Sequence, residues 1–252
     1  MIAVISPAKS LDFKSEIPAR EPTSVRFPDD TARLAGAISN LSRKKLKEIM
    51  PVSDNLIELN RSRYSRFFDQ PERLAIYAYN GDVYTGFEAI SASDDTIRFA
   101  QDHLRILSGL YGLLRPLDPI RAHRLEMGTR WAPRYKKLTD FWKDKIAIEL
   151  SRDLDKSAER IVVNLASNEY WAAIKPYASK LNARIVEVDF RKESPDGPKF
   201  ISFEAKRARG MMARYICENH LQDVESLKSF DSDGYIFDSQ NSDADSLRFI
   251  RT

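Results

Sequence analysis

Hydrophobic and polar positions alternate between two habits along this chain. Short runs are wholly apolar, and longer stretches repeat at helical spacing. Residues 2–5 (IAVI) are a run of the first kind, and 161–165 (IVVNL) is apolar but for Asn164, as expected of strands covered on both faces of a sheet. Residues 185–190 predict a third strand and 200–203 a fourth, joined through Pro195-Asp196-Gly197-Pro198. Residues 74–79 read as a strand before an Asn80-Gly81-Asp82 turn that continues to Gly86. Residues 234–238 and 247–250 read as a closing pair of strands.

The helical spacing starts after a polar, proline-dotted loop over 14–28. Leu34, Ala37, Ile38 and Leu41 lie on one face behind Pro28-Asp29-Asp30. Ser42 caps a short basic helix closed by Pro51, and Ser53 or Asp54 caps another carrying Leu56, Leu59 and Phe67. Ser93-Asp94-Asp95 starts a helix bearing Ile97, Ala100, Leu104 and Leu107. Thr139-Asp140 starts one through Leu150, and residues 204–215 form another with a small, apolar face at 205, 208 and 212. The elements together predict a single α/β (mixed α+β) domain over residues 1–252, a central sheet surrounded by helices.

Between these lies a stretch of mixed character, residues 104–128 (LRILSGLYGLLRPLDPIRAHRLEMG). Its apolar density asks for burial, while Arg105, Arg115, Arg121 and Arg124 ask for anions. Gly109 and Gly112 allow two readings. In one, a helix-hairpin-helix presents backbone N–H groups to phosphates. In the other, residues 106–114 are a buried strand, with glycines where another backbone packs close.

Charge sharpens the picture. The net charge is only +3, but residues 105–137 carry a local positive excess, as do residues 199–215, while the chain from Cys217 onward is acidic. Concentrated positive charge on a near-neutral chain points to a local anion site. Lys9 emerges at the end of the first strand, where α/β folds place ligands. Lys206 and Arg209 share one side of a helix, near an N-terminus whose dipole disfavours cations unless an anion is bound. Three acids accompany them. Asp82 reads first as a turn aspartate bonding its own backbone, and Glu126 and Glu169 as partners of arginines or of a helix dipole. The alternative for all three is acid/base chemistry.

Other classes are set aside. No apolar run approaches the roughly 20 residues of a membrane-spanning helix, and the first residues lack the basic region of a secretory leader. Cys217 is the single cysteine, so neither a disulfide framework nor a cysteine metal site is expected, and a cytoplasmic location follows. His103, His123 and His220 lack metal-ligand spacing. No nucleotide-binding glycine motif and no GxSxG is present, so neither a cofactor nor a catalytic residue is assigned.

The motifs SPAK (6–9), NGDVYTG (80–86), LSGLYGLLRPLD (107–118), RLEMGT (124–129), NLASNEY (164–170) and KRARGMMARYI (206–216) span the chain. In these it resembles the YaaA family of bacterial peroxide stress resistance proteins. The resemblance implies one α/β domain of unusual topology with a helix-hairpin-helix element and a positively charged cleft. It further implies binding to duplex or distorted DNA and protection from hydrogen peroxide linked to lowered free iron. Two departures are Ala122-His123, where Pro-Tyr is expected, and Asn80, where Lys is expected. The expected function is therefore non-sequence-specific DNA binding, with Lys9, Arg115, Arg124, Lys206 and Arg209 on phosphates and Gly109 and Gly112 offering N–H groups. The competing expectation is an enzyme acting on a phosphorylated or nucleotide-like substrate, favoured if Asp82, Glu126 and Glu169 converge in an enclosed pocket with Lys9 and Arg115.

Overall fold

The wholly apolar runs become the middle of a seven-stranded sheet in the computed structural model, which describes residues 1–251. The strands are β1 (Ile2–Ile5), β2 (Ser10–Leu11), β3 (Arg73–Leu74), β4 (Tyr79–Asn80), β5 (Leu104–Ser108), β6 (Gly112–Leu114), β7 (Pro119–Ile120), β8 (Ile161–Leu165), β9 (Arg184–Lys192), β10 (Tyr235–Phe237) and β11 (Ser246–Arg251). The main sheet runs β10-β11-β9-β8-β1-β5-β6; β2 pairs with β4 and β3 with β7 outside it. From β11 to β5 all pairings are parallel, and only the edge strands β10 and β6 run against their neighbours. Every residue of β1, β5 and β8 is buried, whereas β9 and β11 alternate. Helices therefore cover the centre of the sheet on both faces and leave one face of its β9–β11 side wetter.

The helices are α1 (Pro28–Ser39), α2 (Arg43–Ile49), α3 (Asp54–Ser65), α4 (Ala75–Ala78), α5 (Asp82–Phe87), α6 (Asp94–His103), α7 (Leu138–Trp142), α8 (Lys145–Leu154), α9 (Asn168–Trp171) and α10 (Ser202–Glu218). Ser42 and Ser93 cap α2 and α6 as expected, each accepting the N–H three residues on. The longest, α10, lies on β1, β8 and β9 and crosses α5 at very close range. A Cβ on Gly210 would stand 1.8 Å from the Val83 carbonyl oxygen, and one on Gly86 2.1 Å from that of Arg207. The two backbones touch, and only glycine permits it.

Five local expectations are corrected. Residues 104–114 form a β-hairpin and not a helix-hairpin-helix, with Ser108 paired to Gly112. All residues from Leu104 to Leu114 are buried, so the stretch has no solvent face to give a helix its periodicity. Residues 75–78 form a buried helical turn rather than continuing a strand; Ala75 and Ile76 donate to the carbonyls of Asp118 and Pro116 (2.9 and 3.0 Å). Residues 82–87 are helix α5 rather than extended turn. The helix expected over 139–150 is two, broken where Lys143 takes a positive φ of 48°. Finally, residues 200–203 do not form a strand, since α10 begins at Ser202 and Lys199 alone bridges to β9.

Candidate functional site

The C-terminal ends of β1 and β8 lie side by side, Ile5 opposite Leu165, which is where parallel sheets open toward ligands. Both chains leave the sheet there under restraint. The Ser167 N–H donates to Ser6 Oγ (2.9 Å), the Tyr84 hydroxyl to the Ser6 carbonyl (3.2 Å), and the Ala166 N–H to Asn164 Oδ1 (3.0 Å). Between these ends and α10 opens a cleft of about 610 Å³. The loop after β1 brings Lys9 to it, the N-terminus of α5 brings Asp82, α9 brings Asn168 and Glu169, and α10 brings Lys206 and Arg209.

Lys9 is mostly exposed, its ammonium 3.7 Å from Glu126 Oε1. The same oxygen accepts Arg124 Nη2 and Nε at 2.7 and 3.1 Å. Arg124 and Glu126 line a small recess that joins the cleft behind Lys9 and Tyr170. Glu169 Oε1 accepts the Gly128 N–H at 3.2 Å. A Cβ on Gly128 would stand 3.1 Å from that oxygen, so the glycine lets the loop approach the carboxylate. Burial holds the Tyr170 hydroxyl well above its ordinary value, reinforced by the charges of Glu169 and Glu126, so it enters the site as a neutral phenol.

Arg209 differs from the other cations. Its Nε is buried without a hydrogen-bond partner, and no ion pair involves it among the described residues. Burial pulls its pKa below the ordinary value, partly offset by the charges of Asp189 and Glu187; an arginine so lowered still carries its proton. Lys206 likewise has no ion-pair partner among the described residues. Because α10 begins at Ser202, these two lie in its second and third turns. The dipole argument falls away with them, since that field fades within the first turn. What distinguishes Arg209 is its missing partner.

The expected set is thus brought together only in part. Lys9, Lys206, Arg209, Asp82 and Glu169 share the cleft, and Arg124 and Glu126 adjoin it. Arg115 does not join them. It follows β6, which runs against β5, so it lies toward the opposite end of the sheet. There its guanidinium holds Asp118 (3.2 and 3.1 Å) and the Ser24 carbonyl (3.0 Å). Gly109 and Gly112 are placed in the core. A Cβ on Gly109 would meet the Leu125 carbonyl at 2.2 Å, and Gly112, with a φ of +71°, sits beneath the rings of Phe27 and Trp142. The Gly109 carbonyl accepts Trp142 Nε1 (2.9 Å), and the Tyr111 N–H is taken by Ser108 Oγ (3.1 Å). A turn buried in this way has no N–H to offer a polyanion.

Sequence reasoning missed Phe200, which gave no motif signal and was assigned to a strand; it is 49% exposed and lines the cleft. It missed Asn168 as well, although its neighbour Glu169 was named.

A family model described as peroxide stress protein YaaA matches residues 1–241. The chain is 51% identical over 253 residues to a UPF0246 protein of Rhizorhabdus wittichii, covering 100% of both. It is 47% identical over 256 residues to one of Alteromonas mediterranea, covering 100% of this chain and 98% of the other. With one of Saccharophagus degradans it shares 47% over 257 residues, covering 100% and 99%. The cleft is framed by Lys9, by Asp82 beyond the glycine turn, by Glu169 of the NEY turn and by the basic face of α10. Each of these lies within a motif that carried the resemblance, and with a full-length match in hand the chain belongs to the peroxide stress protein YaaA family.

Proposed function

We propose that the protein serves in the peroxide response by holding nucleic-acid phosphates, without reading sequence, at Lys9, Lys206 and Arg209. The observation that carries this reading is the Arg209 guanidinium, which faces the cleft with a buried nitrogen that has no hydrogen-bond partner among the described residues. A buried donor without a partner costs about 1–3 kcal/mol, and a phosphate oxygen removes that cost. Contacts of this kind carry no base information. A cytoplasmic setting belongs to the same proposal. The link to lowered free iron enters only as an indirect consequence of the protein's action. Among the described residues, no three His, Cys, Asp or Glu side chains gather as a metal site.

Fluorescence anisotropy with a labelled duplex tests it. Three phosphate contacts predict that affinity falls about 40-fold between 50 and 200 mM salt. The double variant Lys206→Ala/Arg209→Ala should bind at least tenfold more weakly, with a shallower salt slope. Affinity indifferent to salt, or unchanged in the double variant, refutes the reading.

A second reading, an enzyme acting on a phosphorylated substrate, draws support from one observation. Asp82 and Glu169 open into the same cleft as the cations, and a grip on polyanions alone has no use for carboxylates.

A further inference from the structure

The cleft's composition is odd for a polyanion groove. Two carboxylates, Asp82 and Glu169, stand among three cations, and Asp82 has neither an ion pair nor a side-chain hydrogen bond among the described residues. A strand of phosphates running through would pass both acids. At about 610 Å³ the space is of the size that holds one small ligand. Of its two aromatics, Tyr170 is buried and Phe200 is about half exposed, with the Arg191 guanidinium over its ring at 5.7 Å.

From these features we infer that the cleft is a binding site for a single nucleoside monophosphate unit. Its phosphate lies on the fork of Arg209 with Lys206 beside it. Its base stacks against Phe200, and its sugar hydroxyl and amino donors face Asp82 and Glu169. Each group then meets its complement. The phosphate satisfies the unpartnered guanidinium, which suits bidentate phosphate geometry. The hydroxyls give the carboxylates donors that a phosphodiester lacks. The exposed phenyl ring gains a π-face, which every base offers. The unit is either a free nucleotide or one unpaired nucleotide of a strand; both present the phosphate, the base face and the amino donors, and the free nucleotide adds the sugar hydroxyls. This rests on the reading of the cleft as a phosphate site.

Isothermal titration of the full chain tests it with four probes: AMP, dAMP, inorganic phosphate, and a duplex with one unpaired nucleotide, set against the fully paired duplex. The expected result is that at least one mononucleotide binds more tightly than inorganic phosphate. Arg209→Met should weaken both by tenfold or more. Phe200→Ala should weaken only the nucleotide, by about fivefold or more, and Phe200→Trp should restore it. Phe200 is half exposed outside any strand or helix, so its variants test stacking without loss of fold. If only the duplex with the unpaired nucleotide binds, and with the same dependence on Phe200, the unit comes from the strand. Mononucleotides binding no better than phosphate, together with strand binding indifferent to Phe200→Ala, overturns the inference. The proposed function fails separately, when paired-duplex binding ignores salt and Lys206→Ala/Arg209→Ala, whatever the mononucleotides do.

Discussion

Replacing Gly210 with alanine sets two effects of opposite sign against each other, and the structure decides between them. In a helix interior alanine is favoured over glycine by about 1 kcal/mol. Against this, the new Cβ would stand 1.8 Å from the Val83 carbonyl oxygen and 2.9 Å from the Phe87 nitrogen. A carbon–oxygen contact relaxes at about 3.3 Å, so α10 and α5 must separate locally by about 1.5 Å. Both obstructing atoms are backbone, so no side chain can swing aside. Overpacking of this kind costs about 1–3 kcal/mol, and more where nothing yields. With the upper end applying here, the net loss is about 2 kcal/mol. Gly36 in α1 is the control, because a Cβ there meets nothing within 4 Å. Gly36→Ala should therefore keep the propensity gain. In urea unfolding with a slope near 3 kcal/mol/M, the midpoint of Gly210→Ala should fall by about 0.7 M and that of Gly36→Ala rise by about 0.3 M. The helices carry opposite walls of the cleft, Asp82 and Val83 on one and Lys206 and Arg209 on the other. Duplex binding by Gly210→Ala should accordingly weaken under conditions where the variant remains folded. A midpoint for Gly210→Ala at or above the parent's would refute the argument that contact between these two backbones positions the cleft.

Three further outcomes follow from the interior. His123 is buried, donates Nδ1–H to the Arg121 carbonyl at 2.7 Å, and packs edge-on against Tyr79 and Tyr111; burial lowers its pKa to about 4. Its folded-state value lies below its unfolded value of about 6.5, so in acid the unfolded chain takes a proton that the native state refuses. Stability should fall by about 3 kcal/mol as pH drops from 6.5 to 4. His123→Gln should remove that part of the slope in urea titrations across the window, and an identical slope would count against it. Asp153 is buried between Arg105 Nε (2.5 Å) and Arg26 Nη2 (2.8 Å). Asp153→Ala leaves two guanidinium groups without their shared anion and should cost about 3–5 kcal/mol in thermal or urea unfolding; a loss under 1 kcal/mol would show that water reaches them. Cys217 is fully buried, and burial pushes its thiol far above the ordinary range. A thiol reagent should label it only in denaturant, and hydrogen peroxide should leave it reduced in the folded protein. Labelling of the native protein within minutes would make it a redox-active thiol instead.

Much of this was written locally. Residues 2–5 carry no polar side chain and residues 161–165 only Asn164, and runs so short and so apolar fit strands covered on both faces, so both strands were legible. So were α2 and α6, because a serine cap bonds three residues away and needs no distant partner. Lys9, Asp82 and Glu169 could be named as candidates because each stands at a turn beside a strand end, whereas Lys206 and Arg209 were reached through a helix dipole and a preceding strand that the structure does not provide. Tertiary structure decided what depends on distant neighbours. Nothing in residues 104–114 distinguishes a helical hairpin from a β-hairpin, since complete burial erases both periodicities. Arg115 left the site because strand β6 turns back and carries it toward the far end of the sheet, where Asp118 holds it. The isolation of Arg209 and the access given to Phe200 arise from which side chains are not within reach, and a linear pattern of residues contains no distances.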